Sequence, residues 1–346
     1  MLKLQRIDPL DTSSKWDEMV RSFGDHTVFH LSAWARVMVD SYGHEPYYCA
    51  VQDGEKTVGL LPLMEVKSPI TGKRGISLPF SDFCGLLLKG EYEFQEVGPL
   101  LNELVSGRCW KRLELRGGNL SVTDIETNPR FVRHALDLRR GIEKLHKGVD
   151  SAVRRALKKA NESNLVVAIE EGEKSVDQYY ELHTMTRRRH GLPPQPKYFF
   201  DQIADHMIRA GNGFVVLVHA ESRPIAGGVF FHANHKAVYK FGASDERFWD
   251  RRPNQLMMWR AIQALCEKGC RELDFGRTDV HDEGLKRFKR SWGSEEHPLR
   301  YKTYRKTSTG ESRLPASSGN GMSKIFRHLP LSINRLAGRL LYPHLD

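Results

Sequence analysis

The chain has 346 residues, 40% hydrophobic and 28% charged, a globular composition long enough for two domains. No run of about 18 apolar residues exists, so no membrane-spanning helix is expected, and the start MLKLQRIDPLDTSSKWDE lacks the apolar core of a signal peptide; the expectation is a cytoplasmic protein. Its net charge of +10 favours anionic partners such as phosphates, nucleic acid or an anionic membrane surface, and its five scattered cysteines, without a CxxC or paired histidines, predict free thiols and no metal site.

Helices are predicted over roughly 14–23 and 32–42. A hairpin follows, "VQDGEKTVGLLP" from Val51, then strand material at 73–88, a helix over about 92–106, the strand "RLELRG" from Arg112, and a closing strand from Phe131 to Leu138. The same order then recurs. Helices are expected over roughly 175–190 and 199–211, the hairpin "VHAESRPIAGGV" starts at Val218, and a strand covers about 236–243. A helix over about 254–268 leads to "ELDFGR" from Glu272 and a closing strand from Leu299 to Tyr304. Val51 aligns with Val218 and Leu113 with Leu273, both without a gap, which predicts a duplicated α/β unit: residues 1–145 and 146–306. Residues 307–321, rich in Ser, Thr and Gly, read as a flexible linker. Residues 322–346 read as a basic amphipathic helix interrupted by Pro330, fit to dock on the body, in a partner groove, or on an anionic membrane through 322–342.

The densest polar cluster follows a buried-looking strand. "ELDFGRTDVHDEGLKRFKRSWG" holds four acids and five arginines or lysines between Asp274 and Arg290. Asp282 or Glu283 can cap a short helix on which Lys286, Lys289 and Arg290 share one face, with Phe288 and Trp292 left to dock it. A cationic face at a strand end suits a carbonyl oxygen or a phosphate; a solvated helix laced with ion pairs is the plain alternative. Arg277 and Asp279 lie where the strand opens. In "TRRRHGLPPQPKYFF" a helix ends in Arg187, Arg188 and Arg189, Gly191 stops it, and prolines stiffen the exit, an arm placed to grip phosphates, with His190 either a further contact or a plain surface residue. Asn254 is expected to cap the helix begun by "RRPNQLMMWRAI", whose amino end is an anion site. Asp82, in "PFSDFCG", reads by composition as a turn residue. No Gly-x-Ser-x-Gly or Cys–His pairing marks a covalent nucleophile.

Helix, helix, hairpin, strand, helix, strand is the element order of the N-acetyltransferase (GNAT) fold. Two such units in one chain resemble the Fem-type aminoacyltransferases. The resemblance is carried by "SAWARVMVDSYGHEPYY", "SLPFSDFCG", "TRRRHGLPPQPKYFF", "RRPNQLMMWRAI" and "DFGRTDVHDEGLKRFKRSWG", and is nearest to the acetyltransferase-like branch met in envelope polysaccharide systems. It implies a duplicated GNAT fold of two mixed-sheet units. It also implies direct transfer of an acyl or aminoacyl group to an amine of a peptidoglycan or exopolysaccharide precursor. The donor would be acetyl-CoA, another acyl-CoA or aminoacyl-tRNA as co-substrate, with no permanently bound cofactor. By the same resemblance Lys289, beside Phe288, stands at the reacting acyl group and Asp82 faces the acceptor; of Arg277, Asp279 and Asp282, which lie where the strand opens, Asp279 is the first choice for contacting the amine. One departure is plain: no Gln/Arg-x-x-Gly-x-Gly/Ala string, the usual coenzyme A pyrophosphate loop, occurs. The alternative is a catalytically silent module holding tRNA or a nucleotide sugar in the same cleft.

Overall fold

The computed structural model describes residues 1–117, 130–305 and 320–345. The linker expected at 307–321 therefore lies almost wholly outside the described residues. Among the described residues three sheets carry the fold. A seven-stranded sheet runs, in order, Leu165–Glu170, Gly213–Ala220, Arg223–Ala233, Lys236–Ser244, Glu272–Asp279, Phe131–Asp137 and Glu295–Leu299. The first half instead splits into a four-stranded and a five-stranded sheet.

The internal repeat is visible in the register. Tyr48–Asp53 and Lys56–Leu61 form one hairpin, Gly213–Ala220 and Arg223–Ala233 the other. Each carries a bulge at the aligned position, between Val51 and Gln52 and between Val218 and His219. The second anchor behaves alike: Leu113 lies in a strand paired in parallel with Arg74–Ile76, and Leu273 in one paired in parallel with Lys236–Ser244. The intervening helices, Phe94–Gly107 and Pro253–Glu267, supply the crossovers that parallel pairs require.

The closing strands depart from expectation, because the halves exchange them. Phe131–Asp137 pairs not with its own half but between Glu272–Asp279 and Glu295–Leu299. The segment expected as one strand from Leu299 to Tyr304 breaks at Arg300, and Tyr301–Arg305 crosses back to pair with Arg112–Arg116. Each half therefore completes the other's sheet.

A shared core reinforces this. Trp34 and Met38, on the Ser32–Tyr42 helix, sit in one buried cluster with Tyr179, Phe199, Phe200 and Phe231 of the second half. The Trp34 ring meets Phe231 and Phe199 edge-on at 5.9 and 6.2 Å. A second cluster lies beneath the Pro253–Glu267 and Ser151–Asn161 helices, a third beneath Phe94–Gly107. The Ser151–Asn161 helix is highly basic, yet Val153, Leu157 and Ala160 fall on one buried stripe. Among the described residues no helix is long and apolar enough to cross a membrane.

Candidate active site

Two parallel strands that should run side by side separate here. Lys236–Ser244 and Glu272–Asp279 pair only from Lys236↔Glu272 to Val238↔Asp274, then splay apart. The cause is local. The second strand shifts register between Asp274 and Arg277 against its other neighbour, and Gly276 adopts φ +75°. That conformation favours glycine, and a Cβ there would lie 3.2 Å from a carboxylate oxygen of Asp82. The Asp274 carboxylate accepts the Gly276 N–H at 2.7 Å and fixes the bulge.

Into the splay comes a loop of the other half. Asp82 is placed there by the turn after Arg74–Ile76, and its backbone carbonyl accepts the Tyr301 hydroxyl at 2.8 Å. Its carboxylate accepts from Lys240 Nζ at 3.0 Å. Lys240 is nearly buried between the rings of Phe29 and Phe241. Burial alone would raise the Asp82 pKa, but the charges of Lys240, Arg277 and Lys289 outweigh it and hold the carboxylate ionised.

Lys289 arrives from the short Glu283–Arg290 helix, which Asp282 caps through the Leu285 N–H at 2.9 Å. Its side chain is only 3% exposed, and its ammonium donates to the Gly276 carbonyl at 2.6 Å. Burial pushes its pKa down to about 8, against the opposing pull of Asp274, Asp82 and Asp282. Arg277 stacks on Phe131 at 4.5 Å and donates to Tyr301 at 3.4 Å. Deeper in, Asp274 pairs with Arg133 at 2.9 Å; burial raises its pKa in spite of that partner. The result is a cleft of about 240 Å³ lined by Phe80, Ser81, Asp82, Arg116, Gln195, Lys240, Phe241 and Arg277.

A second cavity, about 570 Å³, opens on the other side of the Lys289 helix. Arg155, Lys159, Arg252 and Arg287 line it together with Phe288 and Gln255. It sits at the amino end of Pro253–Glu267, where the helix dipole also favours an anion. The backbone cradle is reduced there, because Pro253 has no N–H to offer. Cationic side chains take the place of the absent glycine loop.

The sequence-predicted residues divide accordingly. Asp82, Arg277 and Lys289 come together, and Phe288 lines the neighbouring cationic cavity. Lys286 bonds Glu283 at 2.7 Å, and Arg290 bonds Glu296 at 2.8 Å, flanking Lys289 on the same face. Asp279 stands apart at the strand end, 40% exposed, where it accepts the His281 N–H. Asn254 does not cap its helix: the helix begins at Pro253 after a left-handed Arg252, and Asn254 donates to Ser244 at 3.2 Å. Proline at the first helical position leaves that amine-end slot already terminated. In the arginine run, Arg187 holds Tyr342 and the Pro193 carbonyl, and Arg189 holds the Ser244 carbonyl and stacks on Trp249. Arg188 is half-buried and His190 exposed at the helix end. Lys240, Tyr301, Arg116 and Gln195 escaped the sequence reading. A lone lysine in the otherwise apolar "AVYKFGAS" of a central strand was the available signal. Tyr301 had none, because it reaches the site through the exchanged strand.

The architecture is that of a duplicated GNAT fold. Residues 147–290 match the family described as an acetyltransferase (GNAT) domain. The likeness to this family is confined to that segment, and the architecture of the chain as a whole is of the Fem type. The chain is 33% identical over 82 residues to lipid II:glycine glycyltransferase of Staphylococcus aureus. That stretch covers 22% of this chain and 20% of the relative, so the match spans a fifth of the curated relative's length. The crystal structure of FemX superposes with a TM-score of 0.69 at 16% identity, covering 88% of this chain and 97% of FemX. A tandem GNAT protein from the clavulanic acid biosynthesis pathway superposes with a TM-score of 0.53 at 12% identity, covering 90% and 100% of the two chains.

Proposed function

We propose that the chain is an acyltransferase that moves an acyl group, from aminoacyl-tRNA or an acyl-CoA, directly to an amine of a cell-envelope precursor. One observation carries the reading: a buried lysine ammonium and a carboxylate from the other half converge in the splay between two central strands. The segment shared with the glycyltransferase and the GNAT domain match support it.

In the proposed reaction a neutral amine attacks the donor's carbonyl carbon. A C–N bond forms, and the nitrogen sheds a proton to solvent, from which the lysine that protonates the leaving group is recharged. The carbonyl oxygen takes negative charge, and the tetrahedral species breaks its C–S or C–O bond to expel a thiolate or a ribose alkoxide that must gain a proton. Lys289 serves the last two events. Its ammonium lies where the oxyanion develops, in a site whose burial strengthens each charge interaction. A pKa of about 8 leaves it charged at neutral pH, yet able to release a proton to the leaving group. Asp82, kept ionised, orients the amine through its N–H groups, while Arg277, Arg116 and Lys240 give the cleft a cationic wall for an anionic precursor. Arg155, Lys159, Arg252 and Arg287 receive the donor's phosphates. Aminoacyl-tRNA is the favoured donor, since the backbone loop that cradles coenzyme A pyrophosphate is missing and side-chain cations stand there instead.

The test is transfer from labelled aminoacyl-tRNA and labelled acetyl-CoA to envelope precursors, with the wild type and Lys289→Met. The expected result is transfer by the wild type, lost in the variant while donor binding persists. No transfer by the wild type from either donor would leave the chain as a binding module and overturn the reading.

A further inference from the structure

The carboxyl-terminal segment is anchored by one face and leaves the other bare. It forms two helices, Asn320–His328 and Leu331–Leu341, and a turn Tyr342–His344. Asn334, Gly338 and Tyr342 are buried against the body. Tyr342 donates to the Pro193 carbonyl at 3.2 Å and accepts from Arg187 at 2.7 Å, and Arg335 pairs with Glu181 at 2.7 Å. A Cβ on Gly338 would strike the Pro194 carbonyl, so the helix is pressed backbone to backbone onto the proline arm. Arg187 and the prolines singled out in the sequence thus form the seat of the tail.

The opposite face is apolar and uncovered among the described residues. Ile333, Leu336 and Leu340, spaced i, i+3 and i+7, are 47%, 56% and 63% exposed, and Ile325 is 59% exposed. At 3.6 residues per turn this stripe points roughly 150° away from Asn334 and Gly338. Lys324, Arg327 and Arg339 are exposed around it, and residues 320–345 contain no Asp or Glu at all.

We infer that this face docks on an anionic phospholipid leaflet. An apolar stripe fringed only by cations is what inserts at a headgroup boundary, with electrostatic attraction adding to burial. The charge also argues against a second copy, since pairing two such faces would bring like charges together with no acid among residues 320–345 to neutralise them. The polar side of the helix, which solvent would normally cover, is taken by the protein, so the helix lies between body and leaflet. Tyr342 packs on Phe80 with ring centroids 5.8 Å apart, and Phe80 lines the Asp82 cleft. Docking therefore brings that cleft beside the lipid headgroups, where a lipid-linked acceptor would lie. This last step, unlike the docking itself, rests on the proposed function.

The test is co-sedimentation of the full chain with phosphatidylglycerol/phosphatidylcholine vesicles and with phosphatidylcholine alone, at low and high salt. Wild type should bind the anionic vesicles and be released by salt. L336E/L340E, which alters only exposed side chains, should melt as the wild type does and lose about tenfold or more of its partitioning; K324E/R327E/R339E should lose the salt-sensitive part. Absence of wild-type binding to anionic vesicles, or equal binding by L336E/L340E, would overturn the inference. So would a wild-type dimer in analytical ultracentrifugation that L336E/L340E dissolves, for the face would then belong to a second copy. Vesicle binding without any transfer activity would refute the proposed reaction and leave the docking intact.

Discussion

The two halves share one skeleton and treat its central opening in opposite ways. In the second half, Lys236–Ser244 and Glu272–Asp279 part after three residue pairs, and the gap is lined by Lys240 and Arg277, with the Lys289 ammonium bonded to the Gly276 carbonyl at the bulge. The equivalent strands of the first half also pair briefly, at Gly75↔Leu113 and Ile76↔Glu114, but there the gap is sewn shut. Ser77 donates its N–H to the Glu114 carbonyl at 2.8 Å, its hydroxyl accepts the Arg116 N–H at 2.7 Å, and Cys84 bridges to Arg116. Nearby, Glu65 is 1% exposed and is held by Arg108 and Trp110 at 2.7 Å each and by Lys73 at 3.1 Å. One copy thus became a closed support that exports a loop bearing Asp82, and the other kept the opening. Duplication of a fold does not duplicate its chemistry: side chains at the strand ends decide which copy stays open.

Lys289→Met should produce the largest effect and the sharpest contrast. Turnover is expected to fall by about 10²–10³-fold, the usual cost of removing one oxyanion donor, with little change in KM. The charged form does the work, so wild-type turnover should decline as pH rises through about 8. Stability moves the other way. A lysine whose pKa is lower folded than unfolded gives up a proton on folding in that window, so the wild type should gain stability relative to Lys289→Met between pH 8 and 10.5. Turnover–pH profiles and chemical denaturation check both signs.

In the closed half, Glu65→Ala should destabilise by about 3 kcal/mol, because it strips the partner from a buried charge network. Turnover per folded molecule should be unaltered. Burial opposes ionisation of Glu65, but its bonds to Trp110, Arg108 and Lys73 prevail and lower its pKa to about 2. Its contribution should therefore be complete above pH 4.5 and disappear as pH falls through about 2. A loss of turnover in folded Glu65→Ala would break the division of labour between the halves.

Asp82→Asn tests the bridge between them. About a tenfold loss in kcat/KM is expected from removing one charged hydrogen bond to the amine. Asp82 also helps Lys289 keep its proton, so the alkaline limb of the variant should move to lower pH. An unmoved limb would separate the two residues functionally. The smallest effect should come from Arg287→Gln, a few-fold rise in donor KM that shrinks at high ionic strength, as screening predicts for one of several phosphate contacts.

The sequence by itself determined the duplicated unit, the order of its elements, and the presence of Lys289, Arg277 and Asp82 in suggestive surroundings. Hairpin periodicity, the two gapless anchors and the Asp282 cap are local signals, and local signals survive in a single chain. It also marked the tail as basic and amphipathic, because helical spacing is written every three to four residues. Only the tertiary structure decided what those residues meet. Strand exchange depends on edges far apart in sequence, so nothing near Tyr301 or Phe131 announces that each crosses to the other half. Lys240 pairs with a carboxylate 158 positions away. Asp279, Arg187 and Arg189 carry the same charges as the residues that form the site, and only packing sends them to a turn, to the seat of the tail and to the Ser244 carbonyl. Charge is a property of the residue, whereas burial and partnership, which convert charge into a shifted pKa or a reactive cleft, belong to the fold.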